Sequence, residues 1–174
     1  KGSKLVIKDV GLNPTRTGIL TALREMGGDI SVVNERIINY EPVGDLIVRS
    51  SELKGIEIKS DTIPLLIDEI PILAVAASQA SGKTSIRDAQ ELRYKETDRI
   101  RAIATELRRL GVEIEERQDG FDVVGRQEIK GNCTCDGYND HRIAMSLAIA
   151  GLIAQEPIEI NDFECVNISF PNFA

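Results

Sequence analysis

The chain has 174 residues, 42% hydrophobic and 28% charged, and carries a formal net charge of −7 from 28 acidic and 21 basic side chains. That length supports one good-sized core or two small ones. The acidic balance argues against nucleic acid and membrane surfaces as partners, since both are polyanions that attract Lys and Arg.

Lys4 to Asp9 reads as a strand, followed by an amphipathic helix that Gly27-Gly28 ends. Short strands are expected at Ile30 to Val33 and Leu46 to Arg49. Ile72 to Ala80, behind Asp68-Glu69 and Pro71, reads as a second helix, apolar nearly all round and therefore buried on all sides. The same order then starts again. Thr84 to Asp88 is a strand, and Ile100, Ile103, Leu107 and Leu110 mark one face of a helix that Gly111 ends. Strands follow at Glu113 to Glu115 and Phe121 to Val124, then a second apolar helix from Ile143 to Ala154. At about 12 residues it is too short to span a bilayer, and no other apolar run is longer.

The two halves echo each other in detail. Leu23-Arg24-Glu25-Met26-Gly27 returns as Leu107-Arg108-Arg109-Leu110-Gly111, and Glu52-Leu53-Lys54-Gly55 as Glu128-Ile129-Lys130-Gly131. Ile67-Asp68-Glu69-Ile70 answers to Asn139-Asp140-His141-Arg142. The offsets are 84, 76 and 72, so the order of parts is kept while the loops shorten. An α/β fold of repeated βαβαβ units is expected, each with one surface helix and one buried helix. The repeat would cover 4–83 and 84–174 within one partial domain, 1–174. The apolar close at Ser169 to Ala174 suggests that a third unit or a partner segment completes it.

The chemistry gathers at helix starts. Lys95-Glu96-Thr97-Asp98-Arg99 opens the amphipathic helix of the second half, and Asn139-Asp140-His141-Arg142 opens its apolar helix. Asp, Asn and Thr there are ordinary caps. Arg99 and Arg142 are not, because the helix dipole disfavours a cation in the first turn by about 0.3–1 kcal/mol. Each feature alone has a plain structural reading: a solvated charge run, a structural histidine, a capping aspartate. Together they point to an anion held by free helix N–H groups. Asp68, Glu96, Arg99, His141 and Arg142 are expected to converge on one concave face. With that face empty, Arg99 and Arg142 would repel each other and trap sulfate or phosphate weakly.

Two other features are set aside. Ala77-Ser78-Gln79-Ala80-Ser81-Gly82-Lys83-Thr84 fits a loose nucleotide-loop pattern. Here, however, a helix precedes the loop and a strand follows, so no helix N-terminus faces the phosphates. Cys133, Cys135 and Cys165, with one histidine, are too few and too closely spaced for a zinc knuckle. They read as free thiols of a soluble cytoplasmic protein.

Lys95-Glu96-Thr97-Asp98-Arg99-Ile100, Asn139-Asp140-His141-Arg142-Ile143-Ala144-Met145 and Ser169-Phe170-Pro171 resemble the 5-enolpyruvylshikimate-3-phosphate synthase family. Asn13-Pro14-Thr15-Arg16-Thr17-Gly18 and Asp68-Glu69-Ile70-Pro71 resemble its bacterial members. The resemblance implies an inverse α/β domain of the enolpyruvyl transferase kind, with two of its three units present and the remaining domain of the enzyme as partner. It implies transfer of the enolpyruvyl group of phosphoenolpyruvate to the 5-hydroxyl of shikimate 3-phosphate, in the shikimate pathway to aromatic amino acids, without cofactor or metal. Asp68 would be the base and Glu96 the proton donor. Lys95 would touch both substrates, Arg99 and Arg142 would bind phosphoenolpyruvate, and His141 would hydrogen-bond near Glu96. Ile168 stands where many members have Lys, and Glu91 where some have Asn. A UDP-N-acetylglucosamine enolpyruvyl transferase and a non-catalytic anion-binding module remain as alternatives.

Overall fold

The computed structural model describes residues 2–173. The first half runs β1 (Lys4–Gly11), α1 (Gly18–Glu25), β2 (Asp29–Ile38), β3 (Glu41–Arg49), β4 (Glu57–Ile58) and α2 (Ile70–Gln79). The second runs β5 (Lys83–Ile86), α3 (Arg99–Arg109), β6 (Ile114–Arg117), β7 (Gly120–Val124), β8 (Cys133–Asp136) and α4 (His141–Gly151). A further strand, β9 (Ile158–Asn161), and a short helix, α5 (Val166–Ser169), follow. Each half thus puts a hairpin and a short strand between its two helices.

The hairpins come from β-branched runs joined by tight turns. Between β2 and β3 the turn residues Asn39 and Tyr40 both have positive φ, 50° and 67°, which matches the right-handed twist of the flanking strands. Strand order is β1-β3-β2 in one antiparallel sheet and β4-β5-β7-β6 in a second. Each short strand ahead of an apolar helix pairs in parallel with the strand that follows that helix: Glu57 faces Ser85 between β4 and β5, and Cys133 faces Ile158 between β8 and β9.

The echoed residues do the same jobs twice. After α1, Met26, Gly27 and Gly28 donate N–H bonds to Ala22, Arg24 and Leu23; after α3, Leu110, Gly111 and Val112 donate to Glu106, Arg108 and Leu107. Gly27 and Gly111 have φ of +97° and +93°, the left-handed closure that glycine accepts without strain. The Arg24 Nε donates to the Ile30 carbonyl at 3.0 Å and the Arg108 Nε to that of Ile114 at 2.8 Å. Lys54 N–H bonds Met26 O, and Lys130 N–H bonds Leu110 O.

Gly55 and Gly131 explain the Lys-Gly echo. A methyl group on Gly55 would overlap the Lys83 carbonyl, and one on Gly131 the Glu156 carbonyl, because a neighbouring chain crosses each at backbone distance. Gly55→Ala and Gly131→Ala should each cost about 1–3 kcal/mol of stability, as overpacking does. Gly131→Ala should be the worse, since φ is +81° there. Urea midpoints of the two variants test this, and an unchanged midpoint for both would contradict the close crossing.

The core lies between the helices. Ile100, Ile103, Leu107 and Leu110 of the α3 region are fully buried, as are Ile70, Leu73, Ala74 and Ala77 of α2 and Ile143, Leu147 and Ala150 of α4. Helices α2 and α4 pack on each other, and α3 packs against both. Helix α4 departs from the expectation of burial on all sides. It ends at Gly151 rather than Ala154, and Ile149, Leu152 and Ile153 are exposed. The short helix α5 also packs on α4, and the exposed positions lie toward the C-terminal end of α4 and just beyond it. The thiols are free, with Cys135 and Cys165 buried. Burial first, then the neighbouring Cys133 and Glu106, push the Cys135 thiol up to about 12.

Candidate functional site

Three helices begin at one place. Asp68 and Glu69 sit in the single turn leading into α2, with Pro71 in that helix's first turn; Glu69, at the N-cap position, makes no capping bond. Arg99 is the first residue of α3, capped by Asp98, whose side chain accepts from Arg101 N. His141 and Arg142 open α4, capped by Asp140. Lys95 and Glu96 were expected to open α3, but they lie on the connection before it.

Arg99 ties these starts together. Its side chain is only 2% exposed. The guanidinium Nε donates to Asp140 Oδ2 at 2.8 Å, Nη1 to Asp68 Oδ1 at 3.1 Å, and Nη2 to Glu96 Oε2 at 2.6 Å and Asp140 Oδ1 at 3.3 Å. A planar fork with five donors suits this three-way grip, which a Lys ammonium could not reproduce. Asp140, fully buried, is shared: its Oδ1 also accepts the Arg142 N–H at 2.9 Å.

Around this centre lie three more cations. Lys95 Nζ is 2.9 Å from Glu91 Oε1 and 3.6 Å from Asp68 Oδ1. Arg142 Nη1 donates to the Asp68 carbonyl and to Glu69 Oε1, both at 3.3 Å. Arg16 Nη2 reaches Asp68 Oδ2 at 3.6 Å and Glu69 Oε1 at 3.7 Å, from a side chain 57% exposed. A turn fixed by Asn13, whose Oδ1 accepts from Thr15 N at 3.0 Å, carries Arg16 there. Burial alone would push the Asp68 carboxyl up, but Lys95, Arg142, Arg99 and Arg16 outweigh it and hold that carboxyl below its ordinary value. Lys95 is raised, chiefly by its bond to Glu91.

The structure therefore brings Asp68, Lys95, Glu96, Arg99 and Arg142 into one network, with His141 beside Arg142 in the same first turn. His141 is half-buried and makes no hydrogen bond to Glu96, whose Oε2 is taken by Arg99. The expectation of two bare, mutually repelling arginines is corrected. Four cations (Arg16, Lys95, Arg99, Arg142) meet five carboxylates (Asp68, Glu69, Glu91, Glu96, Asp140). An anion here must displace carboxylates from the outer cations, so the unliganded face is no simple anion trap. Sequence reasoning missed Asp140 as a buried counter-ion and Arg16, Glu69 and Glu91 as network members. The sequence marks Asp140 only as the cap before His141-Arg142; its pairing with the buried Arg99 appears only in the fold. Ile168 is exposed on α5.

Paired sheets around buried helices whose starts share one charged cluster define a fold class before any family. The chain matches the enolpyruvyl transferase NikO from Streptomyces tendae with a TM-score of 0.74 at 19% identity, covering 98% of this chain and 37% of that one, which establishes the shared fold. A model of the family EPSP synthase (3-phosphoshikimate 1-carboxyvinyltransferase) matches residues 1–174, and the chain belongs to that family. It is 70% identical over 173 residues to a 3-phosphoshikimate 1-carboxyvinyltransferase of Petrotoga mobilis and 56% identical over 172 to one of Geotalea daltonii. In each case the match covers 99% of this chain and 40% of the relative. An EPSP synthase structure from Acinetobacter baumannii superposes with a TM-score of 0.95 at 42% identity, over 99% of this chain and 40% of that one. The chain thus spans about 40% of the length of these relatives. Among the described residues no helix is long and apolar enough to cross a membrane.

Proposed function

We propose that this chain supplies one side of the active site of an enzyme that transfers the enolpyruvyl group of phosphoenolpyruvate to the 5-hydroxyl of shikimate 3-phosphate, releasing phosphate in the cytoplasm. The observation that carries this reading is the network of Asp68, Lys95, Glu96, Arg99 and Arg142 at three helix starts. In this reading residues 1–174 form most of one domain, with repeat units 4–83 and 84–174, and the remaining domain closes the cleft and adds cations.

The transfer needs a base at the attacking hydroxyl, a proton donor to the methylene carbon, and cations at carboxylate and phosphate. Asp68 is the base, and it is already ionised because cations surround it. Those cations also weaken it as a base. When substrate phosphate or carboxylate draws off Lys95, Arg142 and Arg16, Asp68 becomes more basic at the moment its proton acceptance is needed. Glu96 gives a proton to the methylene carbon as the hydroxyl adds and takes one back from the resulting methyl as the C–O bond to phosphate breaks, and His141 orients the transferred group. Arg142 binds phosphoenolpyruvate directly, whereas Arg99 acts mainly by holding Asp68, Glu96 and Asp140 in place and offers the anion what remains of its charge.

Phosphate release coupled to a chromogenic assay tests the reading. The full-length protein should turn over phosphoenolpyruvate only when shikimate 3-phosphate is present. The isolated chain should fold but show no turnover, because half a cleft loses the positioning that makes the step effectively unimolecular. A full-length protein that is inert toward this pair, or that accepts UDP-N-acetylglucosamine instead, would overturn the assignment.

A further inference from the structure

The turn that delivers His141 and Arg142 is strained and anchored twice. Tyr138 and Asn139 are consecutive non-glycine residues in the left-handed region, at φ 55° and 52°. A bulky residue there needs surroundings that hold it. Asp136 Oδ1 accepts from Tyr138 N at 2.7 Å, Asp140 N donates to Gly137 O at 2.9 Å, and Gly137 N donates to Asn161 O at 3.0 Å. These bonds shape the turn. They do not fix it to the helix that carries Arg99.

Two contacts do. One is the Arg99–Asp140 pair already described. The other is made by Glu106, fully buried on α3, whose Oε1 accepts the Tyr138 hydroxyl at 2.9 Å. Its Oε2 accepts Asp136 N at 3.2 Å and lies 3.2 Å from Arg109 Nη1. Arg99 and Glu106 stand seven residues apart, so they share one face of α3 two turns from each other. Burial, then Glu106, push the Tyr138 hydroxyl up to about 12, so it stays a donor across the physiological range.

We propose that Glu106 and Tyr138 are positioning residues for the candidate site: a second pin, two turns along α3 from the Arg99–Asp140 pin, that fixes the start of α4 against the start of α3. One pin alone leaves the turn free to rotate about Asp140. Two pins set the placement of His141 and Arg142 relative to Asp68 and Glu96. The kinetic consequence rests on the enolpyruvyl transfer reading; the anchoring does not.

The test uses the full-length protein with Tyr138→Phe, Glu106→Leu and Glu106→Gln, and Val123→Ala as a control that loosens the core away from the turn. Tyr138→Phe and Glu106→Leu should exchange the amides of 137–142 at least about tenfold faster than the parent, since a buried acceptor or donor is left without its partner. Their kcat should fall about 10–100-fold with KM for either substrate within threefold, because small misplacements of a reacting group act on the chemical step. Glu106→Gln keeps an acceptor for the hydroxyl but turns an NH2 toward the Asp136 N–H and Arg109 where Oε2 stood, so its kcat should fall between those of the parent and Glu106→Leu. Val123→Ala should lower the melting temperature without either change. Parent-like exchange at 137–142 in Tyr138→Phe would overturn the pin. Faster exchange with parent kcat, or an equal kcat loss in the control, would overturn its positioning role. A parent protein without transferase activity would sink the functional reading while the exchange measurement still judged the anchor.

Discussion

Arg99→Met in the full-length protein should lower the unfolding free energy by about 3–5 kcal/mol, the usual effect of removing one partner from a buried ion cluster. The variant leaves Asp140 fully buried without a cation, and Asp68 and Glu96 lose their closest one. The loss comes from the orphaned charges rather than from the worth of the pair itself. Arg99→Met combined with Asp140→Asn should therefore regain part of the stability, since a neutral amide is far cheaper to bury than a lone carboxylate. Arg99→Lys should recover little, because one ammonium cannot span three carboxylates in a fork. Urea unfolding of the four proteins checks this. A loss below about 1 kcal/mol for Arg99→Met would place the cluster among the solvated surface pairs.

The other large effect is kinetic. Asp68→Ala and Glu96→Ala should each reduce kcat by about 10²–10⁴-fold with much smaller changes in KM, the range for general acid–base groups. The pH profile adds a second signature. The folded carboxyl of Asp68 lies below its ordinary value of 3.8, so its ionised form persists as pH falls through that value. The acid limb of kcat/KM, which reports the free enzyme, should accordingly sit below the ordinary carboxylate range. In Asp68→Asn no limb from this group should remain. A variant with normal kcat and only a raised KM would show that the residue binds substrate without acting on the proton.

Much of this architecture is legible in the sequence because two stretches of it carry the same landmarks in the same order. Gly27 and Gly111 close equivalent helices, and Gly55 and Gly131 let chains cross, so each echo has a backbone cause that a single copy would have hidden. The lack of a polar face announced the burial of α2, but for α4 it overstated it, since Ile149, Leu152 and Ile153 are exposed. Strands β4, β8 and β9 were not legible: Glu57-Ile58 is too short for any alternation to register, β4 depends on its parallel pairing with β5, and β8 and β9 depend on each other. The cations at helix starts were located correctly but explained in part by the wrong cause. An arginine in a first turn does signal a nearby negative charge, yet for Arg99 that charge belongs first to Asp140, Asp68 and Glu96. Sequence spacing carries no trace of a pairing between positions 41 residues apart.

Asp140 also limits how this cluster of helix starts can be altered. One carboxylate both caps α4 and grips Arg99, so any exchange there changes a helix start and an ion cluster together. Arg16 and Glu91 carry no such double duty: both stand at the solvent edge, each tied only to charges that other residues also serve. Under the proposed reading, a redesign for a bulkier or less charged acceptor has its room to vary along this rim, where substitutions retune local charge without disturbing the helix ends beneath.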